Sequence, residues 1–180
     1  MGDVKFSVSV IELTRNDITQ PTTGSLGRVW YPKPVLLWDA TTGEQASFNT
    51  VFSFAIIQDV RTTSKLPGDG MASFLTSYSV LASGSRGGNL CLFNNNNQFN
   101  ATDDHRVVAV EFDTFKNPEW DDSPQHIGID VNSIRSKVSQ YTDDPNLPGH
   151  KNLTSNLNMT ATVKYDNKTK MLAMDLALPE

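Results

Sequence analysis

Short runs of alternating apolar and polar residues recur along the chain, and this alternation is typical of β-strands that bury one face. Valine, isoleucine, phenylalanine and threonine are common in the runs, while glycine, proline, asparagine and aspartate separate them. Residues 166 to 168, Asp-Asn-Lys, lie between the last two runs and predict a hairpin turn. The pattern predicts strands at Lys5 to Leu13, Pro34 to Asp39, Ala46 to Gln58, Met71 to Ser79, Asn89 to Phe93, Val107 to Phe115, Ile127 to Val138, Met159 to Tyr165 and Lys170 to Leu176.

These strands, with little helical periodicity between them, predict an all-β fold built as an antiparallel β-sandwich. The chain has 180 residues, a length that suits one domain with a sizeable core. Residues 1–180 are therefore expected to form a single domain.

Charge and cysteine content argue against several classes of function. The net charge is −5 and the 15 lysines and arginines are scattered, which speaks against nucleic-acid binding. No apolar run reaches the length of a membrane span. Cys91 is the single cysteine, so no internal disulfide can form, and the strand expected around it predicts a buried free thiol. Four N-x-[ST] sequons favour a secretory route and are glycosylation candidates: Asn100, Asn152, Asn158 and Asn167.

The run from Val108 to Ile134 carries the most distinctive polar chemistry of the chain. Side chains two apart on a strand share a face, so Glu111, Asp113 and Phe115 are expected to point the same way. Two neighbouring carboxylates repel each other unless a cation or a shared proton lies between them. The turn-rich segment that follows can fold back over the strand end, and His126 then opens a second strand.

Two kinds of metal ion suit these residues. Calcium prefers several oxygen ligands, whereas a transition ion such as manganese accepts carboxylates together with an imidazole. The oxygen set is Asp113, Asn117, Asp121 and the Phe115 carbonyl, and the mixed set is Glu111, Asp113, Asp121 and His126. Asp113 and Asp121 would then contact both ions. The alternative interpretation is a solvated acidic turn beside a structural histidine.

The same run resembles the signature of the legume-type (L-type) lectins, including the lectin ectodomains of plant lectin receptor-like kinases. Other stretches resemble the early strands, two sugar-binding loops and a late hairpin of that family, in the same order. They are Gly27 to Ile56, Pro67 to Leu75, Ser83 to Asn94 and Asn158 to Leu176. The resemblance covers nearly the whole chain and implies a legume-lectin or concanavalin-like jelly roll that binds carbohydrate.

The resemblance also implies a role for each matching residue. Ca2+ and Mn2+, or another transition metal, would be held by the two ligand sets given above, and Ser136 would reach the transition metal through water. The sugar site would comprise Asp69, Gly88 and Asn117, with Phe115 as an aromatic platform. The peptide bond between Gly68 and Asp69 would be cis.

The family pattern normally begins one strand earlier and continues through further strands and a fourth sugar-contacting loop. The chain is therefore expected to be a partial lectin domain, and a homodimer is doubtful because the missing first strand normally lies at the dimer edge. The resemblance implies an extracellular or cell-surface location, although no signal peptide precedes Gly2.

Three function classes remain open from the sequence. The first is a metal-dependent lectin that binds mono- or oligosaccharides, and the second is a lectin-like protein that has lost sugar binding and serves as an interaction module or remnant. The third is a jelly-roll glycoside hydrolase, whose strand motif E-x-D-x-E carries the nucleophile and the acid/base. Glu111 and Asp113 fill two of these positions, but Phe115 fills the third. The proton donor is therefore missing, and no enzyme is expected.

Overall fold

The structure, a computed structural model, describes residues 2–17, 19–20, 22–58, 67–81, 83–144, 146 and 152–177. Within these ranges the chain forms β-strands joined by turns and two short 3₁₀ turns, Gly87–Asn89 and Asp103–His105. No helix in the same ranges has the length and apolar character needed to cross a membrane. The strands are β1 (Lys5–Phe6), β2 (Ile11–Glu12), β3 (Phe48–Phe54), β4 (Gly70–Thr76), β5 (Val107–Asp113), β6 (His126–Val131), β7 (Val138–Tyr141), β8 (Met159–Asp166) and β9 (Met171–Ala177).

Antiparallel pairing arranges these strands in sheets. The larger sheet has the order β4-β5-β6-β7, and the smaller sheet has the order β3-β8-β9. β1 and β2 form a separate two-stranded ribbon. The hairpin of β8 and β9 pairs Asp166 with Met171 beside the turn, where the sequence predicts a hairpin. The prediction of an all-β antiparallel fold is confirmed.

An apolar core lies between the larger and the smaller sheet. Val110 and Phe112 of β5 pack with Met159 and Ala161 of β8 in this core. Phe112 is fully buried, and its ring centroid lies 4.5 Å from that of Phe54. Burying a side chain of this kind stabilises the folded state by roughly 1.5–3 kcal/mol. This core therefore holds the two layers of the sandwich together.

The opposite face of the larger sheet is covered as well. Val107 and Ala109 of β5 pack with Leu92, Phe93 and Ile134, which come from the loops around the sheet. Both faces of β5 are thus buried, and this explains why its sequence is almost continuously apolar. The next two alternate residues on the face of Val107 and Ala109 are acidic, so the fold places two carboxylates in a buried position.

The strand predicted at Pro34 to Asp39 is wrong. In the described part of the chain this segment forms only an isolated bridge between Trp38 and Gln45. The Asp39 carboxylate accepts hydrogen bonds from the backbone N–H groups of Thr41 and Thr42, at 2.7 and 3.3 Å. This local side-chain capping turns the chain instead of extending a strand.

The strand predicted at Asn89 to Phe93 is also wrong. Leu90 and Cys91 have φ angles of 46° and 60°, which are incompatible with an extended strand. Leu92 and Phe93 belong to this turn and are buried in a hydrophobic cluster. The run is therefore apolar because it packs in the interior, and not because it pairs as a strand. Cys91 is a free thiol, but it is half-buried in a turn and does not lie in a strand.

Two long predicted strands are interrupted. The N-terminal run turns back on itself where the Ser7 N–H donates to the Val10 carbonyl at 3.0 Å, which separates β1 from β2. The strand that begins near His126 ends before Asn132, whose φ angle is 55°. The Asn132 side-chain oxygen accepts the Val107 N–H at 3.0 Å, and this contact holds the end of the strand.

Candidate functional site

Cross-strand register brings the polar residues of β5 and β6 together. Asp113 pairs with His126, and Glu111 pairs with Gly128. The His126 Nε2 atom lies 3.1 Å from the Glu111 Oε1 atom. One ligand atom from each of Glu111, Asp113 and His126 lies within 4.8 Å of the others, and all three residues are at most 2% exposed. This grouping of two carboxylates and an imidazole is one that could hold a metal ion.

The loop after β5 folds back over this cluster. The Phe115 N–H donates to Asp113 Oδ1, and the Asn117 N–H donates to Asp121 Oδ2, both at 2.7 Å. The Asp121 N–H donates in return to the Asn117 carbonyl at 2.9 Å. This compact turn brings Asp121 Oδ1 to 4.0 Å from His126 Nε2. The structure thus gathers at one end of β5 all six residues that the sequence singles out as metal ligands.

Burial makes the cluster electrostatically costly. It raises the pKa of Asp113 to about 8, and the neighbouring Asp121 charge adds to this effect. It also raises the pKa of Asp121 to about 6. For His126 burial acts to lower the pKa, but the hydrogen bond and charge of Glu111 outweigh it, and the pKa is raised. A divalent cation would relieve the repulsion among these carboxylates.

Two residues of the cluster each have a buried polar atom without a hydrogen-bond partner in the described part of the chain. Among the described residues, neither Asn117 Oδ1 nor His126 Nδ1 has a hydrogen-bond partner. A buried polar atom without a partner costs about 1–3 kcal/mol, so such atoms call for an explanation. The Asn117 amide oxygen is a ligand of the kind that calcium prefers. For His126, the ring nitrogen that faces Glu111 and Asp121, and that could bind a transition metal, is Nε2; Nδ1 is the opposite ring nitrogen, which a neighbouring group orients in metal-binding histidines. The donor set therefore fits one hard ion and one transition ion.

Asp130, which was not predicted from the sequence, is fully buried beside the cluster. Burial raises its pKa to about 9, and the Glu111 charge adds to this effect. Ser136, expected to reach a metal through water, places its hydroxyl 2.9 Å from Asp130 Oδ1 and also in contact with Glu111 Oε1. Alternation along His126–Val131 was the available signal, because it puts Asp130 on the face of His126.

The residues expected to bind sugar lie beside the metal cluster. A Cβ atom built on Gly87 would lie 3.8 Å from both carboxylate oxygens of Asp69. A Cβ atom built on Gly88 would come within 2.8 Å of the Asn117 amide and within 2.7 Å of Trp120. Asp69 and Asn117 thus flank the Gly87–Gly88 segment, and only a glycine allows Asn117 to approach so closely. Trp120 was not singled out from the sequence.

Thr114 connects the Asp69 segment to the end of β5. The Thr114 N–H donates to the Asp69 carbonyl at 3.0 Å, and its hydroxyl donates to the Gly68 carbonyl at 2.5 Å. The peptide bond between Gly68 and Asp69 is trans, so the expectation of a cis bond is wrong. Trans is the form that a peptide bond without proline favours by about 3 kcal/mol. Phe115 is half-buried directly after Thr114.

The four sequon asparagines differ in their surroundings. Three are exposed: Asn100, Asn152 and Asn158. Asn167 is half-buried in the turn between β8 and β9. Its side-chain amide donates to the Gln45 carbonyl, and its side-chain oxygen accepts the Ser47 hydroxyl at 3.0 Å.

Comparisons with known proteins agree with this arrangement. A family model described as "Legume lectin domain" matches residues 1–180. The chain is 38% identical over 182 residues to agglutinin-2 from Cladrastis kentukea, a match that covers 99% of this chain and 58% of that protein. It is 43% identical over 174 residues to a lectin from Erythrina crista-galli, and this match covers 94% of this chain and 65% of that protein.

Solved structures show the same likeness. Lectin I-B4 from Griffonia simplicifolia, in a metal-free form, superposes with a TM-score of 0.82 at 35% identity, covering 99% of this chain and 71% of that chain. Basic winged bean lectin, solved with Tn-antigen, superposes with a TM-score of 0.80 at 36% identity, covering 99% of this chain and 68% of that chain.

The chain belongs to the legume lectin domain family. This is a family of carbohydrate-binding proteins that are not enzymes, so the glycoside hydrolase alternative does not apply, and Phe115 in place of a third acid agrees with this. The chain spans roughly three fifths of the length of the curated relatives described above. The ligands of the full-length relatives therefore support a proposal for this chain and do not assign a ligand to it.

Proposed function

We propose that this chain binds mono- or oligosaccharides at a site organised by calcium and a transition metal. One observation carries the proposal: the buried cluster of Glu111, Asp113 and His126 lies next to Asn117, whose side-chain oxygen sits against Gly88 and has no hydrogen-bond partner in the described part of the chain. A solvated acidic turn would not bury its carboxylates to 1% exposure. The cluster and the sugar residues therefore form one unit.

Each proposed sugar-binding residue offers a distinct interaction. The Asp69 carboxylate, which lies beside Gly87, would accept two donor hydroxyls of a sugar with charge assistance. Gly88 offers a backbone N–H without a side chain, and Asn117 donates its amide N–H to a sugar oxygen. Phe115 provides an apolar face for the C–H groups of the ring.

The proposed metal ligands divide between two ions. Glu111, Asp113, Asp121 and His126 would hold a transition metal such as Mn2+, and Asp113, the Phe115 carbonyl, Asn117 and Asp121 would hold Ca2+. When bound, the cations neutralise the carboxylates and fix ligand orientation. Asn117 and the turn from Phe115 to Asp121 would then be held in one arrangement before sugar arrives, and such preorganisation increases affinity.

The relatives support a sugar ligand without identifying it. The winged bean lectin described above was solved with Tn-antigen, and this ligand is that protein's and is not assigned to this chain. We propose an extracellular or cell-surface location from the same family membership. Sedimentation of the purified chain would decide between a monomer and a homodimer.

A glycan array with and without chelator tests the proposal. We expect binding in calcium and manganese that is lost after the metals are removed. Asp69→Ala should abolish sugar binding and retain both metals, because Asp69 is not a proposed ligand. Asp121→Ala should lose both metals and sugar binding together.

The results separate the open alternatives. Absence of chelator-sensitive binding by the unaltered chain would favour a lectin-like protein without sugar binding. Full metal occupancy in Asp121→Ala, measured by elemental analysis, would refute the bridging role of Asp121. Retained sugar binding in Asp69→Ala would remove Asp69 from the site.

A further inference from the structure

One residue fixes the backbone on both sides of Asp69. Thr114 directly follows β5 and is 2% exposed. Its N–H donates to the Asp69 carbonyl at 3.0 Å, and its hydroxyl donates to the Gly68 carbonyl at 2.5 Å. These carbonyls belong to the two peptide groups that flank the Asp69 Cα atom. Holding both groups sets the direction in which the Asp69 side chain leaves the backbone.

The hydroxyl extends the sheet contacts of β5 by one residue beyond the regular strand pairing. Regular pairing of β4 and β5 ends with Gly70 opposite Asp113. The Thr114 N–H adds one further backbone bond, and the Thr114 hydroxyl reaches one residue beyond it. Gly68 is exposed, and a Cβ atom built on it would meet none of the described atoms within 4 Å, so the Thr114 hydroxyl is the contact whose removal can be tested there.

We propose that Thr114 is a positioning residue for Asp69 and that its hydroxyl sets sugar affinity without touching the sugar. This inference rests on the sugar site proposed above. The role is specific to the hydroxyl, because the Thr114 N–H would still bond to the Asp69 carbonyl after the side chain is changed. Serine should therefore replace threonine here, and valine should not.

Three variants distinguish the effect of the Thr114 hydroxyl from the effects of side-chain shape and of overall protein stability. Thr114→Val keeps the branched shape and removes the hydroxyl, and Thr114→Ser keeps the hydroxyl. Thr76→Val is the matched control, because the Thr76 hydroxyl donates to the Arg106 carbonyl at 2.9 Å at the opposite end of β4. Each variant of the full chain is measured for affinity toward the strongest array glycan, for metal content and for hydrogen exchange of residues 67–70.

We expect Thr114→Val to bind sugar about tenfold more weakly, since it leaves a carbonyl without its hydrogen bond. Metal content should stay close to that of the unaltered chain, the melting temperature should fall no further than in Thr76→Val, and exchange at residues 67–70 should become faster. Thr114→Ser and Thr76→Val should bind sugar normally. Unchanged affinity in Thr114→Val, or loss of metal together with sugar binding, would overturn the inference.

Failure of the proposed function gives a different result. If the unaltered chain binds no glycan, the lectin proposal fails, and hydrogen exchange alone then decides the role of Thr114. Faster exchange at residues 67–70 in Thr114→Val, but not in Thr114→Ser, would still assign the hydroxyl to this segment. Equal exchange in all variants would overturn that assignment as well.

Discussion

At the scale of single residues, Gly128 makes the buried cluster possible. It pairs with Glu111 across β5 and β6. A Cβ atom built on Gly128 would overlap both the Ser136 hydroxyl and the Glu111 carboxylate. Glu111 is buried, and the half-buried Ser136 is held by a hydrogen bond to Asp130 at 2.9 Å, so an added methyl group would displace at least one of them. The missing side chain therefore leaves the space in which a glutamate and a serine meet.

Gly128→Ala tests this directly. We expect the added methyl group to cost about 1–3 kcal/mol of folding free energy through overpacking and to displace Glu111 from the cluster. Melting temperature and transition-metal content should both fall. Gly68→Ala is the matched control, since a Cβ atom there meets nothing within 4 Å. Normal manganese content in Gly128→Ala would contradict the proposed role of Glu111.

The sequence predicted some residues of the cluster and missed others. Glu111 and Asp113 could be predicted, because carboxylates in an apolar strand interrupt its pattern. Asp130 lies opposite Ala109 in the sheet, and the sequence alone does not say which residues of two strands pair. Thr114 could not be predicted either, since its partners, the carbonyls of Gly68 and Asp69, depend on a contact between distant segments.

At the scale of elements, the turn between β8 and β9 is hydrogen-bonded to residues 45 to 47, which precede β3. Asn167 contacts the Gln45 carbonyl and the Ser47 hydroxyl through its side chain, and its N–H donates to the same hydroxyl at 2.9 Å. The Lys170 side chain bonds to the Gln45 side chain as well. The amide nitrogen that would carry a glycan is thus engaged in holding the segment before β3.

Replacing each sequon asparagine by glutamine in a secretory host tests this difference. We expect one glycan mass to be lost at each of the three exposed sites, with little change in melting temperature. Asn167→Gln should lose no glycan mass but should melt at a lower temperature, because it loses contacts worth about 1 kcal/mol in total. Glycan loss at Asn167 with unchanged melting would show that the turn tolerates modification.

Strand prediction succeeded where pairing and burial coincide. β5 and β8 are buried and paired, and their apolar patterns match the observed bounds closely. The run from Asn89 to Phe93 is apolar for a different reason, because its turn buries Leu92 and Phe93 in the second core. Hydropathy reports burial, and it does not distinguish a strand from a buried turn when the run is only a few residues long.

At the scale of the whole molecule, a sandwich normally stabilised by its apolar core also encloses several acidic groups. Burial raises the pKa of Asp121 to about 6, that of Asp113 to about 8 and that of Asp130 to about 9, each from an ordinary value of 3.8. A raised carboxyl pKa means that the folded state binds the proton more tightly than the unfolded state. Its stabilising contribution is complete below the unfolded value and is lost as the pH rises through the folded value.

The metal-free protein should therefore lose stability from about pH 4, the unfolded value of these carboxyl groups, to about pH 9, the highest folded value. We expect its melting temperature to fall across this range, and we expect added calcium and manganese to reduce the slope because the cations replace the protons. Asp130→Asn is the matched control: it keeps the shape, removes the group with the highest pKa and should flatten the metal-free slope. Thermal denaturation of metal-stripped protein at several pH values measures this. A melting temperature that rises toward pH 9 without metal, or an equal slope in Asp130→Asn, would contradict the link between the buried cluster and the stability of the fold.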